Sequence, residues 1–178
     1  MQLKFDVSGS LTKLKGDRIV NIELAEKGEL YFVGFKGNTR KGFLVIPRLW
    51  HKLQKEKSKI SNRISTDFVI GINDYSKYAF SEDKQIAFDH YAAVEVDSLE
   101  KILSKMNSIM IPASKYVIFT YEGKASDSIQ PVMDYIYKEW FLQSNCELNE
   151  NARLDFVRYS EKLNEKGLNQ IEVWIPIV

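Results

Sequence analysis

The chain predicts an α+β domain built from two copies of a strand-helix-strand-strand unit. The copies share a mostly antiparallel, curved sheet, with helices on one side and a central cleft. Three observations lead there. ELYFVGFKGNTRKGFLVIPRLWHKL (29–53) and KYVIFTYEGKASDSIQPVMDYIYKEWF (115–141) repeat one order: apolar strand, Gly, polar loop, Pro, aromatic-bearing helix. The tripeptide Asp-Phe-Val follows each helix, in TDFVIGI (66–72) and LDFVRYS (154–160). The spacing between copies nearly holds: Gly37 and Gly123 stand 86 positions apart, Asp67 and Asp155 stand 88 apart. A period this long marks a duplicated half-domain and not a solenoid.

Taken in order, residues 1–18 (MQLKFDVSGSLTKLKGDR) precede the first copy as an extension, an added strand or an arm. They lack the apolar core of a signal peptide, so the expectation is a cytoplasmic protein. Residues 19–178 form one domain with halves at about 19–96 and 111–178. Runs rich in β-branched and aromatic residues, bounded by turn residues, give the strands. Pro47 and Pro131 suit a first helical turn, where a missing N–H is harmless. In the first helix Leu49 and Leu53 share a face, with Trp50 and His51 off it. In the second, Ile129, Met133, Ile136 and Trp140 fall on one face, and Val132, Tyr135 and Leu142 on a flank. Residues 72–90 form a long hairpin connection, with KGLNQ (166–170) its shorter counterpart. DSLEKILSKMNSIM (97–110) joins the halves and permits a helical turn or two. Each half closes with a β-rich run, FDHYAAVEV (88–96) and NQIEVWIPIV (169–178).

Composition narrows the function classes. With 25 basic and 24 acidic residues the net charge is +1, which argues against direct nucleic-acid binding. The basic run HKLQKEKSK (51–59) is interleaved with Glu56 and reads as a solvated helix end. No stretch approaches the ~20 apolar residues of a membrane span. Cys146, the single cysteine, reads as a small apolar side chain. His51 and His90 lack metal-ligand spacing, and no nucleophile elbow or phosphate loop occurs. No metal, cofactor or catalytic residue is expected.

The candidates for a ligand site are rings and carboxylates. Trp50, Tyr91, Phe119, Tyr121, Tyr135, Tyr159 and Trp174 can stack on flat ligands or face cations. Trp140 belongs to the core. Alternation puts Glu172 with Trp174 on one strand face, and Tyr91 with Ala93 and Glu95 on another. Either glutamate could supply a charge.

Several motifs carry a resemblance: IPASKYVIFTYEG (111–123), DYIYKEWFLQSN (134–145), DFVRY (155–159) and the terminal IEVWIPI. VIPRLWHKL, SNRIS and HYAAVEV match more loosely. Together they resemble the GyrI-like small-molecule-binding domain, also known as the effector-binding domain of AraC-type transcription regulators, over residues 19–178. The resemblance implies a central aromatic pocket for hydrophobic, often cationic compounds, with a buried glutamate in a Phe-Glu-x-Tyr motif. Here that motif reads Phe156, Val157, Arg158, Tyr159, so Val157 stands at the carboxylate's place. Asp155 shares its face about 7 Å along the strand, a partial substitute.

The expectation is a stand-alone protein that binds a hydrophobic or aromatic compound for sensing or sequestration, with a possible protein partner unidentified. The alternatives are a hydrolase of reactive small molecules using a relocated Glu95 or Glu172, and a gyrase-inhibitor-like interaction module.

Overall fold

Alternating apolar residues in eight β-rich runs build one antiparallel sheet. The structure is a computed structural model and describes residues 19–77 and 87–178; the extension at 1–18 and the tip of the 72–90 hairpin lie outside the described residues. The first half contributes β1 (Ile19–Lys27), β2 (Leu30–Asn38), α1 (Val45–Glu56), β3 (Phe68–Asp74) and β4 (Asp89–Val96). The second contributes β5 (Asn107–Ile111), β6 (Ser114–Gly123), α2 (Gln130–Tyr135), β7 (Leu154–Ser160) and β8 (Asn169–Ile177). The strand order is β1-β6-β8-β7-β3-β4-β2-β5, so the pseudo-twofold passes between β7 and β3.

Each half thus carries an outer strand beyond the expected unit, and the outer strands are exchanged. β1 leads directly into β2 yet pairs with β6, and β5 leads into β6 yet pairs with β2. The expected helical turns in 97–110 do not form. Leu99 and Met106 pack on the core, but Ile102 and Leu103 remain 41% and 39% exposed, so the apolar residues do not share one buried face. Lys105 at φ 72° is incompatible with helix, and β5 follows at Asn107.

α1 lays Leu49 and Leu53 on Val33, Ala92 and Val94 of β2 and β4. α2 does not stop at Tyr135. It continues through a π-helical turn, Ile136–Trp140, in which the Phe141 N–H donates to the Ile136 carbonyl, and ends in Phe141–Gln143. The extra residue in this turn departs from the simple period of the sequence. Ile136 is fully buried against β6 and β8, and Trp140 meets Phe119 edge-on at 5.0 Å.

The sheet bends away from the helices. Phe32 on β2 and Phe156 on β7 lie three strands apart, roughly 14 Å on a flat sheet, yet their ring centroids approach to 5.7 Å. The concave face is therefore filled by Phe32, Tyr116, Phe156 and Trp174, all buried. The convex face carries the two helices. Glu161, past β7, joins the halves there by pairing with Lys57 at 2.8 Å and Arg63 at 2.6 Å.

Candidate functional site

Because α1 covers β2 and β4 and α2 covers β6 and β8, the convex side of the central strands β3 and β7 floors a cleft between the helices. Register fixes its tiles. Asn73 stands opposite both His90 on β4 and Asp155 on β7. In the next row Gly71 stands between Ala92 and Val157, and beyond it Val69 faces Tyr159.

The first row is polar, with His90 and Asp155 buried and Asn73 half-buried between them. Asn73 donates from Nδ2 to Asp155 Oδ1 at 3.0 Å, and its Oδ1 lies 2.8 Å from His90 Nδ1. From α2, the Tyr137 hydroxyl donates to Asp155 Oδ2 at 3.2 Å. The outer edge of the Tyr137 ring is exposed while its hydroxyl is inside, over the carboxylate. Asp155 is 3% exposed. Burial pushes its carboxyl up to about 6, against the opposing hydrogen bonds from Asn73 and Tyr137. Burial also raises the phenols of Tyr75 and Tyr137, and the Asp155 charge adds to both. His90, read from sequence as an ordinary residue, is buried at 7% exposure, and burial pushes its imidazole down to about 4.

The second row is closed by a ring. Gly71 has no side chain, and Trp50 from α1 fills the space: a Cβ at 71 would lie 3.0 Å from Trp50 Cζ2 and 3.3 Å from His90 Cε1. The Trp50 ring meets His90 at 6.0 Å and Tyr159 at 5.7 Å, both edge-on. Tyr159 packs against the cores under both helices, and burial raises its phenol.

The expected ligand residues therefore separate. Trp50, Val157 and Tyr159 meet in the cleft. Phe119 and Tyr121 share its face but lie under α2, and Tyr135, on α2 itself, packs against the same cluster. Tyr91, Trp174, Glu95 and Glu172 are on the concave side, because strand alternation turns even positions of β8 and odd positions of β4 that way. There Glu172 accepts hydrogen bonds from Arg158 Nη1, Trp174 Nε1 and Gln170 Nε2, each at 3.0 Å. Arg158 also lies 4.2 Å over the Phe68 ring. Burial raises the Glu95 carboxyl, opposed by nearby Arg158 and Lys27. Neither glutamate reaches the cleft.

One row from Val157 stands a buried carboxylate, Asp155. Sequence reasoning placed Asp155 on the right face but undervalued it, and passed over Asn73, Gly71, His90 and Tyr137. Glycine in a strand whose alternation points it at a helix was the available signal. An open depression of about 270 Å³, lined by Thr120, Glu122, Ser160 and Lys162 among others, lies at the far end of β6–β8. It lacks the aromatic lining and buried carboxylate of the cleft.

Residues 21–178 match the GyrI-like small molecule binding domain. The chain belongs to this family. Solved structures with the same fold include SAV2435 bound to tetraphenylphosphonium, 18% identical, with TM-score 0.66 over 89% of this chain and 94% of that one. A putative bacterial transcription regulation protein from Staphylococcus aureus MU50 is 18% identical, with TM-score 0.63 over 88% and 97%. The C-terminal domain of EcmrR is 16% identical, with TM-score 0.60 over 89% and 97%. No curated protein sequence matches the chain. In this GyrI-like domain no helix among the described residues is long and apolar enough to cross a membrane.

Proposed function

We propose that this GyrI-like domain binds a lipophilic aromatic cation in the cleft between α1 and α2, for sensing or sequestration. The observation that carries the reading is Asp155, a buried carboxylate held, among the described residues, by side-chain hydrogen bonds from Asn73 and Tyr137 and neighboured by Tyr75. A carboxylate that costs free energy to bury is repaid by a cation. At ~4 Å and an effective dielectric near 20, the attraction is about 4 kcal/mol. The aromatic walls supply stacking area and ring faces for the rest of the ligand. SAV2435, with the same fold, is bound to such a cation, tetraphenylphosphonium. Hydrolysis by a relocated Glu95 or Glu172 loses its geometric basis, since both lie on the concave side, away from the cleft.

The closed cleft means that a ligand enters by moving Trp50 off Gly71 and Tyr137 off Asp155. The test is calorimetric titration of the purified domain with tetraphenylphosphonium and with the neutral triphenylphosphine oxide. The expected result is saturable binding of the cation, at least tenfold tighter than the neutral compound, with the preference lost in Asp155→Asn. Equal affinity for both, or no saturable binding of either, sinks the reading.

A further inference from the structure

The cleft holds a second polar group that the cation reading does not use. Asn73 donates from its amide nitrogen to Asp155, so its carbonyl oxygen is turned toward His90. The imidazole must then donate from Nδ1, which leaves Nε2 as a bare acceptor. His90 Nε2 is buried and has no hydrogen-bond partner among the described residues. Burial holds the imidazole well below its ordinary range, so this lone pair is present at neutral pH. Its Cε1 edge faces the position where Gly71 lacks a side chain, and the Trp50 ring from α1 covers that position, so displacing Trp50 opens the space beside the imidazole. A buried acceptor without a donor is costly, and a site containing one favours a ligand that brings the donor.

We infer that the cleft selects a cation that also carries an O–H or N–H donor, its charge at Asp155 and its donor at His90 Nε2. This rests on the cation reading above. Asn73 sets the spacing, because one amide separates the carboxylate from the imidazole. The ligand therefore has its charge and its donor on different parts of an aromatic frame, and a cation without a donor fills only half of the site.

The probes are 4-hydroxybenzyltrimethylammonium and 6-hydroxy-2-naphthylmethyltrimethylammonium, each titrated against its O-methyl ether. Charge and shape match within each pair, and only the donor differs. The expected result is that at least one hydroxyl compound binds about tenfold more tightly than its ether. That ratio collapses toward one in His90→Phe, which keeps a ring against Trp50. In the native protein the ¹⁵N resonance of His90 Nε2 moves upfield with the hydroxyl compound and not with the ether. This second readout stands whether or not the variant folds. Binding of all four cations with no hydroxyl preference overturns this inference and leaves the cation site standing. A preference that survives in His90→Phe, with no movement of the Nε2 resonance, also overturns it. If neither these compounds nor tetraphenylphosphonium bind, both readings fall.

Discussion

Trp50 rests on Gly71, so closely that a methyl group there would lie 3.0 Å from the indole Cζ2 and fit only if the ring gave way. The contact locks α1 to the centre of the sheet and covers the floor between Asp155 and Tyr159. Gly71→Ala should push the indole outward and strain His90 at once. The expected loss is about 1–3 kcal/mol, seen as a lower midpoint in denaturant unfolding with an unchanged slope. An unchanged midpoint would show that Trp50 is loosely seated.

Asp155→Asn should stabilise the ligand-free domain at pH 7. Asparagine can still accept from Asn73 or Tyr137, and it carries no charge to desolvate. The native carboxyl sits at about 6 against an ordinary 3.8, which corresponds to about 3 kcal/mol of strain on the ionised form. The same variant should lose cation binding, so stability and affinity move in opposite directions. A destabilised variant at pH 7 would mean that the hydrogen bonds, and not the burial cost, dominate at this position.

The pH dependence follows from two groups shifted in opposite directions. For Asp155 the folded value is raised, so its contribution to stability is full below about pH 4 and is lost as pH rises through about 6. For His90 the folded value is lowered to about 4 from 6.5, so its contribution is full above pH 6.5 and is lost as pH falls through about 4. Between pH 4 and 6 the two largely cancel. In Asp155→Asn only the His90 term remains. The stability gap between variant and native protein should therefore shrink by about 2 kcal/mol on going from pH 7 to pH 4. Chemical denaturation at both pH values reads it; a constant gap would contradict the burial of the carboxylate.

Trp50 offers an optical report on cleft opening. Trp140 packs on Phe119 under α2, and Trp174 stacks on Phe156 in the concave core. In Trp140→Phe/Trp174→Phe, emission comes from Trp50 alone. Saturating tetraphenylphosphonium should change its intensity and wavelength, since the ring must leave Gly71. Emission that stays constant at saturation would place the ligand elsewhere.

The sheet itself has an intolerant point at Gly34. An added Cβ would fall 2.0 Å from the Ala92 carbonyl oxygen and 2.6 Å from the Ala93 Cα, and backbone cannot step aside as a side chain can. Gly34→Ala should break the β2–β4 ladder and cost more than about 3 kcal/mol, leaving little folded protein at 37 °C by circular dichroism.

Much of this architecture was legible in the residues. The repeat, the strand runs and the buried faces of α1 and α2 follow from local periodicity, and Trp50 fell off its helix's main face as the cleft requires. The strand exchange was not legible, because β1 and β2 are joined by two residues yet find their exchanged partners roughly 70–100 positions away. That choice depends on long-range pairing, which local pattern does not encode. The site was half legible for a related reason. Alternation separates Glu172 and Trp174 from Val173, but only the relative register of β3, β4 and β7 shows that His90, Asn73 and Asp155 form one row. The π-helical turn that ends at Trp140 was hidden as well, since it breaks the period on which helical faces are counted.

The exchanged outer strands give each half an open edge that only the other half closes. A polypeptide ending near residue 100 would keep β2 paired with β4 but leave its outer edge open, and would leave β1 with no strand to join. Two such fragments would satisfy each other by swapping, which is the geometry of an intertwined dimer of a single ancestral unit. In the fused chain this entanglement ties the cleft to assembly of the whole sheet: the row from His90 to Asp155 crosses the seam, so neither half holds that row until both have found their borrowed strands.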